Sequence, residues 1–195
     1  KKNIDKKIIS EHKLYVEKNM FQICRSITGK GIKKSLLLVK KKFKNLKIKS
    51  IKSGTKVFDW KIPPEWNIKN AHISNMHGER IIDFKKNNLH IVNYSTPINR
   101  IIKRGELFKR LHTLPSKKNT IPYVTSYYKK YWGFCLKESE KKLLKGEKFK
   151  VKIESNFNNQ GKLHYGELYI KGKSKKELLI HTYICHPQLA NNEIS

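Results

Sequence analysis

Long apolar runs are missing from this 195-residue sequence, in which no stretch reaches the roughly 18 apolar residues of a membrane-spanning helix. The first residues, Lys1–Asp5, contain no methionine and no apolar segment of the kind found in secretory signal peptides. We therefore expect no membrane partner and no secretion signal. Hydrophobic residues still make up 37% of the chain, which is enough for a buried core.

Cysteine is scarce. Cys24, Cys135 and Cys185 are odd in number, lie far apart and include no C-x-x-C pair. This pattern argues against a disulfide framework and against a structural zinc cluster built from cysteines, and it indicates reduced thiols. Together with the missing signal peptide, it predicts a cytoplasmic location.

Arginine and acidic residues are also few. Five of the 44 basic residues are arginines and only 15 residues are acidic, so the formal net charge is +29. A charge of this size attracts polyanions. However, recognition of phosphates and bases favours arginine, and the lysines are spread through nearly every segment. We therefore do not expect nucleic acid as a partner, and polyanion binding is kept only as an alternative function.

Motifs for nucleotide binding and for common hydrolases are absent, since the sequence has no P-loop, G-x-G-x-x-G, G-x-S-x-G or H-E-x-x-H. Apolar spacing instead predicts two helices, over about 4–19 and 32–43. Short β-type runs follow, including a hairpin with its turn at Asn75–Gly78 and a strand at Leu89–Val92. The alternation of apolar and charged residues predicts another strand at Phe149–Ser155.

The apolar run Leu178–Cys185 is almost continuous, which is typical of a central strand buried on both faces of an α/β sheet. Ligands of such sheets bind at the carboxyl ends of the strands, and this end holds the Cys185–Pro187 corner. The imidazole of His186 is a candidate metal ligand, with Asn192 and Glu193 as candidate oxygen donors. A lone histidine after a strand is nevertheless more often an ordinary loop residue.

Two further segments leave alternatives open. Arg25 lies in a polar loop and could bind a carboxylate of a substrate. The same loop could simply start a helix, with Thr28 as N-cap and Gly29 at positive φ. The stretch 122–134 mixes tyrosine, tryptophan and lysine, and it could stack bases or sugars, although packing of one β-domain on another is the commoner use.

Several motifs occur in the same order as in a known family: Phe21–Gly29, Ser53–Trp60, Ile121–Tyr128, Trp132–Cys135, Tyr165–Leu168 and Thr182–Pro187. From about residue 20 to its end, the sequence resembles bacterial aminopeptidase-like proteins that carry a domain of unknown function. That family is similar in fold to zinc-dependent exopeptidases.

The resemblance implies an α/β fold, with an incomplete aminopeptidase-like sheet domain and a small, mostly antiparallel β-domain inserted in it. Residues 1–45 would form the N-terminal helices of the peptidase-like domain. The inserted β-rich domain would span 46–135, and 136–195 would supply the first strands of a truncated α/β domain.

The resemblance also implies a site. His186 matches the first zinc ligand, and Asn192 falls where related peptidases carry a metal-bridging aspartate. The expected cofactor is therefore zinc, as one or two ions in the full-length protein, with the general base beyond Ser195. Gln188 stands where these peptidases usually carry an aspartate, and Asn192 is a neutral ligand. One metal, a changed metal and lost peptidase activity all stay open.

These observations predict the N-terminal part of a metal-dependent aminopeptidase-like hydrolase, in which metal-activated water attacks a peptide or amide bond of a small substrate. The chain alone is not expected to be active. A non-catalytic peptide- or sugar-binding protein on the same fold is the main alternative, and a polyanion binder is the third.

Overall fold

The computed structural model describes residues 6–186. Within this range the helices and strands follow one another in the order α1 (Lys6–Met20), α2 (Lys30–Lys42), β1 (Lys47–Lys52), β2 (Lys56–Val57), β3 (Trp60–Lys61), β4 (Glu65–Ser74), β5 (Arg80–Asp83), β6 (Ile98–Lys103), α3 (Arg104–Phe108), β7 (Leu111–His112), β8 (Phe134–Cys135), α4 (Glu138–Lys141), β9 (Lys148–Asn158) and β10 (Lys162–Glu167). The expected mixture of helices and antiparallel strands is confirmed. None of the described helices has the length and hydropathy that a membrane span requires.

The chain folds as two compact units. Unit 1 combines the described residues up to Glu65 with those from Gln160 onward, and unit 2 spans Trp66–Asn159. These bounds differ from the predicted β-rich segment 46–135 because of strand pairing. β1 pairs with β10 and so belongs to unit 1, whereas β9 pairs with β6 and extends unit 2 beyond residue 135. That unit 2 is an insertion in a peptidase-like domain stays a prediction.

Unit 1 contains α1, α2 and the antiparallel pair of β1 and β10. Val16 and Met20 of α1 are buried and form a small core with apolar residues of α2, including Leu38. Ile184 packs against the same core. The segment that leads to His186 is therefore anchored on the two helices.

Unit 2 contains a four-stranded sheet in the order β5-β4-β9-β6. β4 and β5 pair antiparallel, as do β6 and β9, while β7 and β8 form a short parallel pair. Along β9, Phe149, Val151 and Ile153 are buried and alternate with more exposed residues. This alternation confirms the strand predicted at Phe149–Ser155.

The predicted hairpin turn at Asn75–Gly78 is confirmed. It connects the antiparallel strands β4 and β5. The N–H of Gly78 donates to the carbonyl of Asn75 at 3.1 Å, and the N–H of Asn75 donates to the carbonyl of Glu79 at 3.0 Å. Gly78 has a φ of 94°, which is a conformation that glycine adopts without strain.

The strand predicted at Leu89–Val92 is wrong. Residues Asn88–His90 form a 3-10 turn instead. The side chain of Asn87 accepts a hydrogen bond from the N–H of Leu89 at 3.0 Å, and this local bond starts the turn. Asparagine competes with regular structure in this way because its side chain can replace a backbone partner.

The predicted central strand over Leu178–Cys185 is also wrong. The structure assigns no strand there, and Leu178, Leu179 and Ile180 are 85%, 89% and 83% exposed. A strand requires a hydrogen-bonded neighbour, and none of the strands described within residues 6–186 pairs with this segment. The apolar composition alone does not bury it.

Candidate functional site

Arg25 holds together two distant chain segments of unit 1. Its side chain is fully buried, its Nε donates to the carbonyl oxygen of His186 at 2.8 Å, and its Nη1 donates to the carbonyl oxygen of Met20 at 3.0 Å. Met20 is the last residue of α1, where carbonyls lack helical partners and the helix dipole favours a cation. Arg25 therefore fixes the end of α1 to the backbone at His186. Contact between Arg25 and a substrate stays a prediction.

The loop that carries Arg25 turns sharply into α2. Gly29 is the N-cap residue of α2 with a φ of 98°, as predicted for this position. The helix-start alternative placed Thr28 at the N-cap, and this is wrong, because Gly29 occupies that position and no side chain caps the helix. The Oγ1 of Thr28 instead donates to the carbonyl of Pro64 at 3.4 Å. At Gly31 the helix passes so close to the loop that an added Cβ would lie 1.9 Å from the carbonyl oxygen of Cys24. Only glycine fits there.

His186 is partly buried at the point where Arg25 holds the backbone. Its ring meets the ring of Tyr183 edge-on, with centroids 5.2 Å apart and an interplanar angle of 83°. Burial lowers the pKa of the His186 imidazole, and the positive charge of Arg25 lowers it further. The neutral form is therefore favoured, which is the form that can coordinate a metal.

Of the predicted metal ligands, only His186 lies within the described residues. His186 is the last described residue, and Asn192 and Gln188 lie outside the described residues. Within residues 6–186, no group of three or more histidine, cysteine, aspartate or glutamate side chains could hold a metal ion. The described residues therefore supply one candidate imidazole, which by itself is not a zinc site. The predicted zinc cofactor and the ligand role of Asn192 stay predictions.

Two of the cysteines, Cys24 and Cys135, lack an activated thiol. Burial raises the pKa of the Cys24 thiol to about 12, although the charge of Arg25 opposes the shift. Burial likewise raises the pKa of the Cys135 thiol to about 12. Since the thiolate is the nucleophile, neither group is set up for covalent catalysis.

The sequence motifs singled out Arg25 and His186 separately, without indicating that the two residues are in contact. They are 161 residues apart, and no local pattern connects them. Gly31 was also missed as a position that the close approach of the loop requires. The glycine itself was the available signal, since a residue without Cβ is suited to a close approach of two backbones.

Part of the chain matches a described family. Residues 65–156 match the family model described as "Domain of unknown function (DUF2172)". The match nearly coincides with unit 2, Trp66–Asn159, and it covers less than half of the chain. Unit 2 is thus the part of the molecule to which this description applies.

The chain is also similar to larger proteins of Clostridium acetobutylicum. A curated protein described as "Putative polysaccharide biosynthesis protein with aminopeptidase-like domain" is 47% identical over 176 residues, which are 90% of this chain and 40% of that protein. A crystal structure described as that of a "putative peptidase" from the same species has a TM-score of 0.87 and 46% identity, over 93% of this chain and 42% of that one. The chain therefore spans about two fifths of each relative. Residues 65–156 match the domain of unknown function, and the chain resembles proteins described as aminopeptidase-like or as a peptidase, as the sequence motifs predicted.

Proposed function

We propose that this chain is the N-terminal part of a metal-dependent aminopeptidase-like hydrolase that cleaves a peptide or amide bond of a small substrate. The similarity to relatives described as aminopeptidase-like supports the hydrolase class. The observation that carries the proposal for this site is the buried Arg25, which holds the backbone of His186 at 2.8 Å. A ligand must be held in place by its surroundings, and this contact supplies such support.

In this proposal the roles of the two residues differ. Arg25 positions the corner through backbone carbonyls, and His186 offers one imidazole to zinc. A single imidazole does not hold a catalytic zinc ion, which takes three protein ligands. The other ligands and the general base would therefore come from outside the described residues.

The alternative is a non-catalytic protein that binds peptides or sugars on the same fold. It is favoured by the amide side chains of Gln188 and Asn192, because amides are weaker metal ligands than carboxylates. It is also favoured by the description of the curated relative, which names polysaccharide biosynthesis. Measurement of bound metal separates this alternative from the hydrolase.

We expect the complete protein to bind zinc and the His186→Ala variant to lose at least about 100-fold in zinc affinity, since a direct ligand is worth more than its supporting residues. Each protein is dialysed against buffered zinc, and its zinc content is then measured by elemental mass spectrometry. His181→Ala is the matched control, because His181 is an exposed histidine of the same segment. Equal zinc content in wild type and His186→Ala would rule out the ligand role.

A further inference from the structure

Arg110 of unit 2 lies over two aromatic rings. Its guanidinium carbon is 5.0 Å from the ring centroid of Tyr131 and 5.3 Å from that of Trp132. All three residues are partly buried. A guanidinium over a ring face is attracted to it electrostatically, and two such contacts restrict the positions of the long arginine side chain. Arg110 is therefore held in place, which is not true of a lysine that extends freely into solvent.

The backbone around this contact is fixed as well. The carbonyl of Arg110 accepts a hydrogen bond from the N–H of Phe134 at 2.9 Å, and the carbonyl of Tyr131 accepts one from the N–H of Thr96 at 2.8 Å. At Gly133 the chain packs so closely that an added Cβ would lie 2.8 Å from the carbonyl oxygen of Arg110. The arginine and the rings thus have a defined arrangement that does not depend on a ligand.

A second side chain orients the ring of Tyr131. The Nε2 of His112 and the hydroxyl oxygen of Tyr131 are 2.9 Å apart and share a hydrogen bond. Burial lowers the pKa of the His112 imidazole, so its neutral form is favoured. A neutral imidazole has a nitrogen that can accept a hydrogen bond from the phenol. His112 therefore supports the ring that Arg110 contacts.

The surroundings of Arg110 are basic. Within residues 6–186, no carboxylate forms an ion pair with its guanidinium and no acceptor takes a hydrogen bond from it. The segment 107–137, which carries Arg110 and both rings, contains no aspartate or glutamate. Its basic residues are Lys109, Arg110, Lys117, Lys118, Lys129, Lys130 and Lys137. The positive charge is therefore not cancelled within this segment, which favours an anion as the ligand.

Arginine also defines the kind of anion that fits. A guanidinium presents its N–H groups as a planar fork that matches two oxygens of a carboxylate or a phosphate, whereas the ammonium of lysine is a point charge. Two other arginines use this fork within the protein: Arg25 on backbone carbonyls and Arg80 on the carboxylate of Asp83. Arg110 has the same fork, and its contacts with ring faces leave the N–H groups at its edge available.

We propose that Arg110 is a binding site of unit 2 for the oxyanion of a ligand, a carboxylate or a phosphate group that pairs with the guanidinium beside the rings of Tyr131 and Trp132. Lys129 and Lys130, which directly precede Tyr131 and are exposed, add positive charge that attracts such a ligand. The proposal concerns unit 2 alone and does not depend on hydrolase activity in unit 1.

The test is NMR titration of the nitrogen-15-labelled chain with inorganic phosphate and with glutarate, at constant ionic strength. The Nε–H signal of Arg110 is identified by its loss in Arg110→Lys. We expect this signal to shift and saturate with at least one anion, with a dissociation constant below about 10 mM. A response to phosphate alone, to glutarate alone or to both identifies the oxyanion as phosphate, as carboxylate or as either. Arg104 is the matched control, since its guanidinium lies 5.1 Å from the ring of Phe108 but is exposed.

Arg110→Lys keeps the charge and removes the fork, so we expect it to weaken binding at least about tenfold, as followed by the indole N–H signal of Trp132. Arg104→Lys is expected to bind as wild type does, and thermal unfolding checks that both variants keep the fold. The proposal is overturned if the Arg110 signal does not saturate with either anion up to about 10 mM. It is equally overturned if the Arg104 signal responds in the same way, or if Arg110→Lys binds as tightly as wild type.

Discussion

Gly31→Ala is expected to destabilise unit 1 by more than about 4 kcal/mol, which is among the largest effects of a single substitution. The new Cβ would lie 1.9 Å from the carbonyl oxygen of Cys24 and 2.9 Å from its carbonyl carbon. Both are backbone atoms, so the clash cannot be relieved by moving a flexible side chain. The loop would have to move away from α2, and the neighbouring Arg25 would lose its position.

The matched control is Gly105→Ala. Gly105 lies in α3, and an added Cβ there meets no atom within 4 Å. Because alanine favours a helix by about 1 kcal/mol over glycine, this variant is expected to be as stable as wild type or slightly more so. Urea unfolding followed by circular dichroism compares the three proteins. If Gly31→Ala unfolds at the same midpoint urea concentration as wild type, the loop does not approach α2 as described.

Arg25→Ala is expected to cost about 3–5 kcal/mol of unfolding free energy, because hydrogen bonds from a charged donor contribute about 1.5–3 kcal/mol each. The substitution leaves the carbonyls of Met20 and His186 without this donor and opens a cavity in a buried position. Arg25→Lys is expected to recover little of the loss. One ammonium group cannot reproduce the geometry of two separate guanidinium nitrogens.

Arg100→Ala provides the control for removing an arginine, since Arg100 is exposed on β6. Its unfolding free energy is expected to stay within about 0.5 kcal/mol of wild type. The same urea titration applies to all three arginine variants. If Arg25→Ala unfolds at the same urea concentration as Arg100→Ala, the buried arginine does not hold the corner together.

Local patterns in the sequence predicted the parts of the fold that local chemistry decides. The turn at Asn75–Gly78 is an example, because a glycine at positive φ between two β-type runs is sufficient to specify it. β9 is another, because alternation of apolar and charged residues matches the two faces of a sheet. In both cases the information lies within a few neighbouring residues.

The features that the sequence predicted wrongly or did not predict have two causes: partners that are distant in sequence or outside the described residues, and, at Asn87, a local side-chain hydrogen bond that replaces a strand by a turn. Leu178–Cys185 has the composition of a buried strand, but burial depends on a neighbouring strand that none of residues 6–186 supplies. At Asn87, the side chain accepts a hydrogen bond from the N–H of Leu89, and the following residues form a turn instead of a strand. The hydrogen bond from Arg25 to the backbone of His186 connects residues 161 positions apart, and no local sequence pattern indicates it.

The most direct test of the proposed function is the release of free amino acids from small peptides and aminoacyl amides by the complete protein with zinc. We expect release by wild type and by the His181→Ala control, and an activity at least about 100-fold lower in His186→Ala. If wild type releases no amino acid, or if His186→Ala is as active as wild type, the proposed hydrolase site is contradicted.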